Sequence, residues 1–141
     1  MIGKFFDTNI LIYAYDIDVS EKHGIAVSLL RETIRKDKPI LSVQVLNEFF
    51  VVVTRKIQRP FSLQEAKEKV EQLISSFTIV DLNFFITIKA IDVMEKNRLS
   101  FWDSLIISAA KEAKATLIFS EDLNSGQIIE GIKVINPFCK E

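Results

Sequence analysis

Five short apolar runs, at residues 1–6, 39–41, 77–80, 116–119 and 132–135, are separated by longer stretches with helical spacing. Runs of this length suit strands, and continuous apolarity suits strands covered on both faces. Strands joined through helix-length crossovers lie parallel. The pattern therefore specifies parallel strands under helical layers, an α/β sandwich.

The intervening segments carry their own helix signals. Residues 20–36 space Ile25, Leu29, Leu30 and Ile34 along one face, with Ser20 as the expected N-cap. Residues 43–56 contain FFVVV, a run of high β propensity. Val45, Leu46, Phe49, Phe50 and Val53 nevertheless recur at helical spacing and favour a largely buried helix. The SLQE that opens residues 62–76 is a capping box. Residues 83–96 form a helix expected to turn Phe84, Ile88, Ile91 and Met94 inward, residues 100–113 form another, and residues 10–15 add a turn or two behind the first strand.

A chain of 141 residues fits one domain, 1–141. It can bury roughly two-thirds of the surface that its unfolded form exposes, so its core needs no disulfide or structural metal. The lone Cys139 has no internal partner, and a reducing, cytoplasmic setting is expected. Lys4 and Asp7 interrupt any signal-peptide core, and no apolar run approaches the roughly 20 residues that span a bilayer. A membrane role is therefore excluded from the expectations. The formal net charge of −1 gives no global attraction to a polyanion. Binding one requires a local basic patch or bound cations.

Ligands of open parallel sheets bind outside the carboxyl ends of the strands. Asp7 follows the first strand in FFDTN, and Asp122 lies just past TLIFS. Glu48 lies about two turns into the helix after the second strand, and Asp103 is in the first turn of the helix opening SFWDSLI. Acids so placed can face one rim. Two unit charges 4 Å apart repel by about 4 kcal/mol at an effective dielectric of 20, so such a cluster must protonate or hold a cation. Carboxylate oxygens suit Mg²⁺ or Mn²⁺. A hydrated divalent ion lowers the pKa of a bound water, and a pair about 4 Å apart can clamp a phosphodiester during in-line displacement. The only histidine, His23, reads as part of a polar loop, which disfavours a histidine base.

Each acid also has a purely structural use. Asp103 completes a capping box with Ser100, and Asp7 and Asp122 can serve as turn or N-cap residues. Glu48, beside Leu46, Phe49 and Val52, is harder to assign this way, because burial there costs hydration. Asp81 reads as a helix cap, and Asp16 and Asp18 as solvated loop acids.

Asp7-Thr8-Asn9, Asn47-Glu48-Phe49, Phe101-Trp102-Asp103 and Ser120-Glu121-Asp122-Leu123 together resemble the motifs of the PIN-domain ribonucleases. More narrowly, the chain is similar to the toxin component of VapBC-type toxin–antitoxin systems. The likeness runs through SVQVLNEFF, SEDLNSGQ and the closing INPF. The resemblance implies an α/β/α sandwich and an endoribonuclease dependent on Mg²⁺ or Mn²⁺, with Asp7, Glu48, Asp103 and Asp122 as metal ligands and catalytic residues. It makes Thr8 and Ser120 hydroxyls that hold those carboxylates, and gives Asn9 a role in positioning Asp7 or the substrate phosphate. In SEDL the matching acid is Asp122, with Glu121 either substituting or solvated. An RNA substrate, a homodimer and an antitoxin that blocks the acidic groove are also implied.

Arg55, Lys56 and Arg59, or Lys111 and Lys114, are candidates for RNA phosphates. Helix-end cations on a solvated surface are the competing reading. Two other functions fit parts of the pattern. One is a non-catalytic PIN-like module that acts through protein contacts. The other is a metal-dependent phosphohydrolase of small substrates, but a haloacid-dehalogenase-like enzyme needs an acid where Asn9 stands.

Overall fold

The computed structural model describes residues 1–139, so the last two positions of the expected domain lie outside the described residues. The chain runs β1 (Gly3–Phe6), α1 (Thr8–Tyr15), α2 (Ser20–Lys36), β2 (Lys38–Ser42), α3 (Val43–Arg55), α4 (Leu63–Ser76), β3 (Thr78–Val80), α5 (Phe84–Asn97), α6 (Phe101–Glu112), β4 (Leu117–Phe119), β5 (Ile128–Ile129) and β6 (Ile132–Ile135). The strands form one sheet in the order β3-β2-β1-β4-β6-β5, parallel throughout except for β5, which pairs antiparallel with β6. On one side α1 packs on α2 and α3, and α3 on α4. Separately, α5 packs on α6, which lies against β2 and β3. This is the expected sandwich, with a mixed rather than wholly parallel sheet.

The chain steps outward from β1 to β2 and β3, then returns to the other side of β1 with β4. This reversal creates a crevice at the carboxyl ends of β1 and β4, the usual ligand position in open α/β sheets. The Asp7 N–H extends the β1–β4 ladder by donating to the Phe119 carbonyl at 2.9 Å, and the Ser120 N–H donates to Ile135 at 3.0 Å. Beneath the crevice Phe5, Phe6, Ile10, Leu11, Ile40, Phe49 and Ile118 are fully buried. Gly3 permits close packing at the start of β1, where a Cβ would stand 3.0 Å from Ile40 Cδ1 and 3.2 Å from the Lys114 carbonyl. At the far edge, Glu130 and Gly131 both have positive φ, 51° and 81°, and this tight turn creates the β5–β6 hairpin that periodicity did not foresee.

Several expectations are corrected by tertiary packing. On α5 the buried stripe is Ile86, Ala90 and Val93, whereas Phe84, Ile88, Ile91 and Met94 face outward. The small Ala90 lets α5 approach the Ser108, Ala109 and Ala110 side of α6, and the Ser108 hydroxyl donates to the Ile86 carbonyl at 2.9 Å. Helical spacing reveals an apolar face but not what lies against it. On α2 the same applies to Ile34, which is exposed while Thr33 is buried. Val19, not Ser20, occupies the α2 cap, and Asn83 rather than Asp81 caps α5, accepting from the Ile86 N–H at 3.1 Å. Asp16 is buried at the end of α1, and Asp18 pairs with Arg59 at 3.3 Å, so neither is a solvated loop acid. His23 sits in the first turns of α2, with Nδ1 2.9 Å from the Tyr13 carbonyl.

Candidate active site

Each of the four expected acids reaches the crevice from a different element. Asp7 ends β1 and caps α1: its Oδ1 accepts from the Thr8 N–H at 2.8 Å and its Oδ2 from the Ser120 hydroxyl at 2.8 Å. It is only 7% exposed. Burial raises its pKa from 3.8 to about 6, against the lowering pull of Ser120 and the Thr8 amide, with the charges of Asp122 and Asp103 adding to the rise. The capping role and the convergence therefore belong to the same carboxylate.

Ser120 links two acids and reaches Asp7 across 113 residues of sequence. While donating to Asp7, its Oγ accepts from the Asp122 N–H at 3.2 Å and the Leu123 N–H at 3.3 Å. Asp122 in turn accepts from the Asn9 side-chain amide at 3.1 and 3.3 Å. Burial, then the charges of Asp103, Glu121 and Glu48, hold the Asp122 carboxyl above its ordinary pKa, partly offset by Asn9.

Glu48 is solvent-facing, contrary to the expected loss of hydration. Both its oxygens are nevertheless engaged, Oε2 by the Thr8 hydroxyl at 3.1 Å and Oε1 by the Gln44 amide at 2.9 Å. Gln44 went unnoticed in the sequence because it lies one turn before Glu48 without any motif of its own. The Asp103 N–H donates to the Ser100 hydroxyl at 3.1 Å, so Ser100 caps α6, but among the described residues the Asp103 side chain does not return the bond of the expected capping box. Among the described residues no hydrogen bond claims the Asp103 carboxylate, which leaves it free to face the other acids.

The structure thus brings Asp7, Glu48, Asp103 and Asp122 into one electrostatic neighbourhood, with Thr8, Asn9 and Ser120 donating to three of them. Arg55, Lys56 and Arg59 do not join it. Arg55 and Lys56 are two turns beyond Glu48, roughly 10 Å of helical rise, and Arg59 is held by Asp18. Glu121 turns away from the acids, towards Tyr13 and Lys22.

The donor set tests the fit to a cation. All four groups are carboxylates, and among the described residues no Lys or Arg forms an ion pair with any of them. The Gln44 Oε1 atom, on the amide that engages Glu48, is buried and has no hydrogen-bond partner among the described residues. Among the described residues no three His, Cys, Asp or Glu side chains stand close enough to enclose a bare ion. Carboxylates spaced too widely to enclose a bare ion suit a hydrated Mg²⁺ or Mn²⁺, which keeps several of its waters.

The PIN domain family profile matches residues 4–128. The chain belongs to the PIN-domain family. Solved structures share its fold at low identity. A toxin–antitoxin complex from Klebsiella pneumoniae aligns with a TM-score of 0.69 at 18% identity, covering 96% of this chain and 98% of that one. The VapC20 toxin of Mycobacterium tuberculosis, described as cleaving the sarcin–ricin loop, aligns at 0.65 and 14%, covering 84% and 89%. A DNA-bound VapBC from Salmonella typhimurium aligns at 0.67 and 16%, covering 95% and 97%. No curated protein sequence matches the chain. Among the described residues of this PIN domain no helix is long and apolar enough to cross a membrane.

Proposed function

We propose that this PIN domain is a metal-dependent endoribonuclease, the toxin of a toxin–antitoxin pair, with Asp7, Glu48, Asp103 and Asp122 as metal-holding, catalytic residues. The observation that carries the reading is the meeting of four carboxylates at the sheet's switch point with no Lys or Arg paired to them among the described residues. Bound Mg²⁺ or Mn²⁺ supplies the positive charge that stabilises the attacking and leaving oxygens of a phosphodiester. The protein's own part is orientation. Ser120 and the Thr8 amide fix Asp7, the Thr8 hydroxyl and Gln44 fix Glu48, and Asn9 fixes Asp122. RNA as substrate is supported by the sarcin–ricin loop cleavage named for the Mycobacterium neighbour. Arg55 and Lys56, exposed at the end of α3, are available to phosphates of an RNA extending from the rim.

Structured RNA incubated with the protein is expected to be cut in Mg²⁺ or Mn²⁺ and left intact in EDTA. Each ion, at 100 times its dissociation constant, should stabilise the fold by about 2.7 kcal/mol. Undiminished cleavage in EDTA, or hydrolysis of p-nitrophenyl phosphate without RNA cleavage, ends this reading. A melting curve indifferent to both ions favours a non-catalytic module.

Neighbours solved as toxin–antitoxin complexes support an antitoxin partner, and with it a cytoplasmic setting. A homodimer is supported by the outward stripe of α5, where Phe84 is 70% and Ile88 57% exposed. The Phe84 and Phe85 rings lie 4.2 Å apart, tilted by 31°, and Ile88, Ile91 and Met94 of the same helix are also exposed. At about 150–250 Å² per aromatic side chain, the stripe supplies a large part of the ~800 Å² that each partner buries in a standard interface. Light scattering is expected to show a dimer that Ile88→Glu converts to monomer. A monomeric parent removes this use of the stripe.

A further inference from the structure

Glu121 stands between Ser120 and Asp122, the two residues of its loop that face the acids, yet it points the opposite way. Its Oε1 accepts from the Tyr13 hydroxyl of α1 at 2.7 Å, and its Oε2 from the Lys22 ammonium of α2. The same ammonium lies 4.8 Å from the Tyr13 ring centroid and 5.4 Å from that of Phe138. The two rings meet edge to face at 5.2 Å and 89°. Two helices meet the loop after β4 at this carboxylate, and the C-terminal segment packs against their side chains through Phe138.

The loop needs such a hold. Asp122 is exposed on a segment without regular structure, and among the described residues only Asn9 donates a hydrogen bond to its carboxylate. On the inner side the Ser120 hydroxyl and the buried Leu123 fasten the backbone. On the outer side Glu121 is the attachment. A surface ion pair by itself stabilises little. Here it is joined by a phenol hydrogen bond and stacked over two rings, which fixes direction as well as distance.

We propose that Lys22, Tyr13 and Glu121 form a latch whose role is to position Asp122 for the cation, and that Glu121 is not itself a ligand. The proposal rests on the metal-site reading above. It makes all three latch members positioning residues, since an ångström of displacement in a ligand is felt strongly at a reacting centre.

Direct Mn²⁺ binding, followed by the electron paramagnetic resonance of the free ion, tests it independently of turnover. Lys22→Met and Glu121→Gln are each expected to raise the Mn²⁺ dissociation constant about tenfold or more. The double variant is expected to be no worse than either single one, because both cut the same link. Lys22→Arg, which keeps the charge and the hydrogen bond, is expected to restore binding, and excess Mn²⁺ to restore RNA cleavage. A mere charge effect gives opposite signs: losing the ammonium tightens cation binding and losing the carboxylate weakens it. Parental or tighter affinity in Lys22→Met therefore overturns the latch while leaving the metal site standing. A parent protein that binds no Mn²⁺ overturns both.

Discussion

Asp7→Asn is expected to remove RNA cleavage almost completely while leaving the metal-free fold at least as stable. Asp7 sits deepest of the four acids, and Ser120 and Thr8 already aim its two oxygens. The amide keeps the side chain's volume but withdraws the charge that attracts a cation. A loss on the order of 10³-fold corresponds to about 4 kcal/mol of transition-state stabilisation, within the several kcal/mol that a catalytic ion supplies.

Stability should move the other way, with a pH signature. The Asp7 pKa is raised from 3.8 to about 6 in the folded protein, with burial as the largest cause. Between those values the folded state binds more protons than the unfolded one, so stability from this group falls as pH rises from about 4 to 6. Below that window the two states are equally protonated, and above it the full deficit, about 3 kcal/mol, remains. The difference in unfolding free energy between Asp7→Asn and the parent should therefore grow from pH 4 to 6 and then level off. At pH 7.5, Mn²⁺ should stabilise the parent and not the variant. A difference independent of pH, or full cleavage by the variant, contradicts the assigned role of Asp7.

Phe6→Ala is expected to destabilise the protein by about 3–5 kcal/mol. The Phe6 ring is fully buried and meets Phe77 at 5.7 Å, edge to face, and Phe119 at 5.1 Å. Those three residues come from β1, the entry to β3 and β4, so the cavity opens across the middle of the sheet. Against a total stability of about 5–15 kcal/mol, the loss is large. It should lower the melting temperature by on the order of 10 °C. Because Phe6 precedes Asp7 and Phe119 precedes Ser120, relaxation of this cavity should also loosen the Ser120–Asp7 hydrogen bond. Urea unfolding measures the first effect, and Mn²⁺ affinity at temperatures well below the transition measures the second. A loss under 1 kcal/mol shows that the neighbouring rings collapse into the space.

The four acids were legible because each follows a local rule. Two end strands, one opens a helix and one lies two turns into another, and those positions lead to a common rim once the strands are parallel. The supporting cast was less legible. Thr8, Asn9 and Ser120 stand beside acids and announced themselves, whereas Gln44, Tyr13 and Lys22 carry no local signature. Their roles come from partners far along the chain, as when Tyr13 meets Glu121 across 108 positions. The SEDL segment shows the limit sharply: either of its adjacent acids could have faced Asp7 and Asp103 until Lys22 and Tyr13 claimed Glu121.

By itself the sequence determined the alternation of strands and helices and the order of the acids, because apolar periodicity and strand-end chemistry are properties of a few neighbouring residues. The family showed only through the resemblance of four short motifs. Tertiary structure alone decided that β4 lies beside β1, that α5 buries its small stripe and exposes its bulky one, and that Glu121 faces outward. Periodicity reports the spacing of side chains around an axis. What stands opposite a face, and which of two neighbouring carboxylates finds a cation, depends on surfaces assembled from distant parts of the chain.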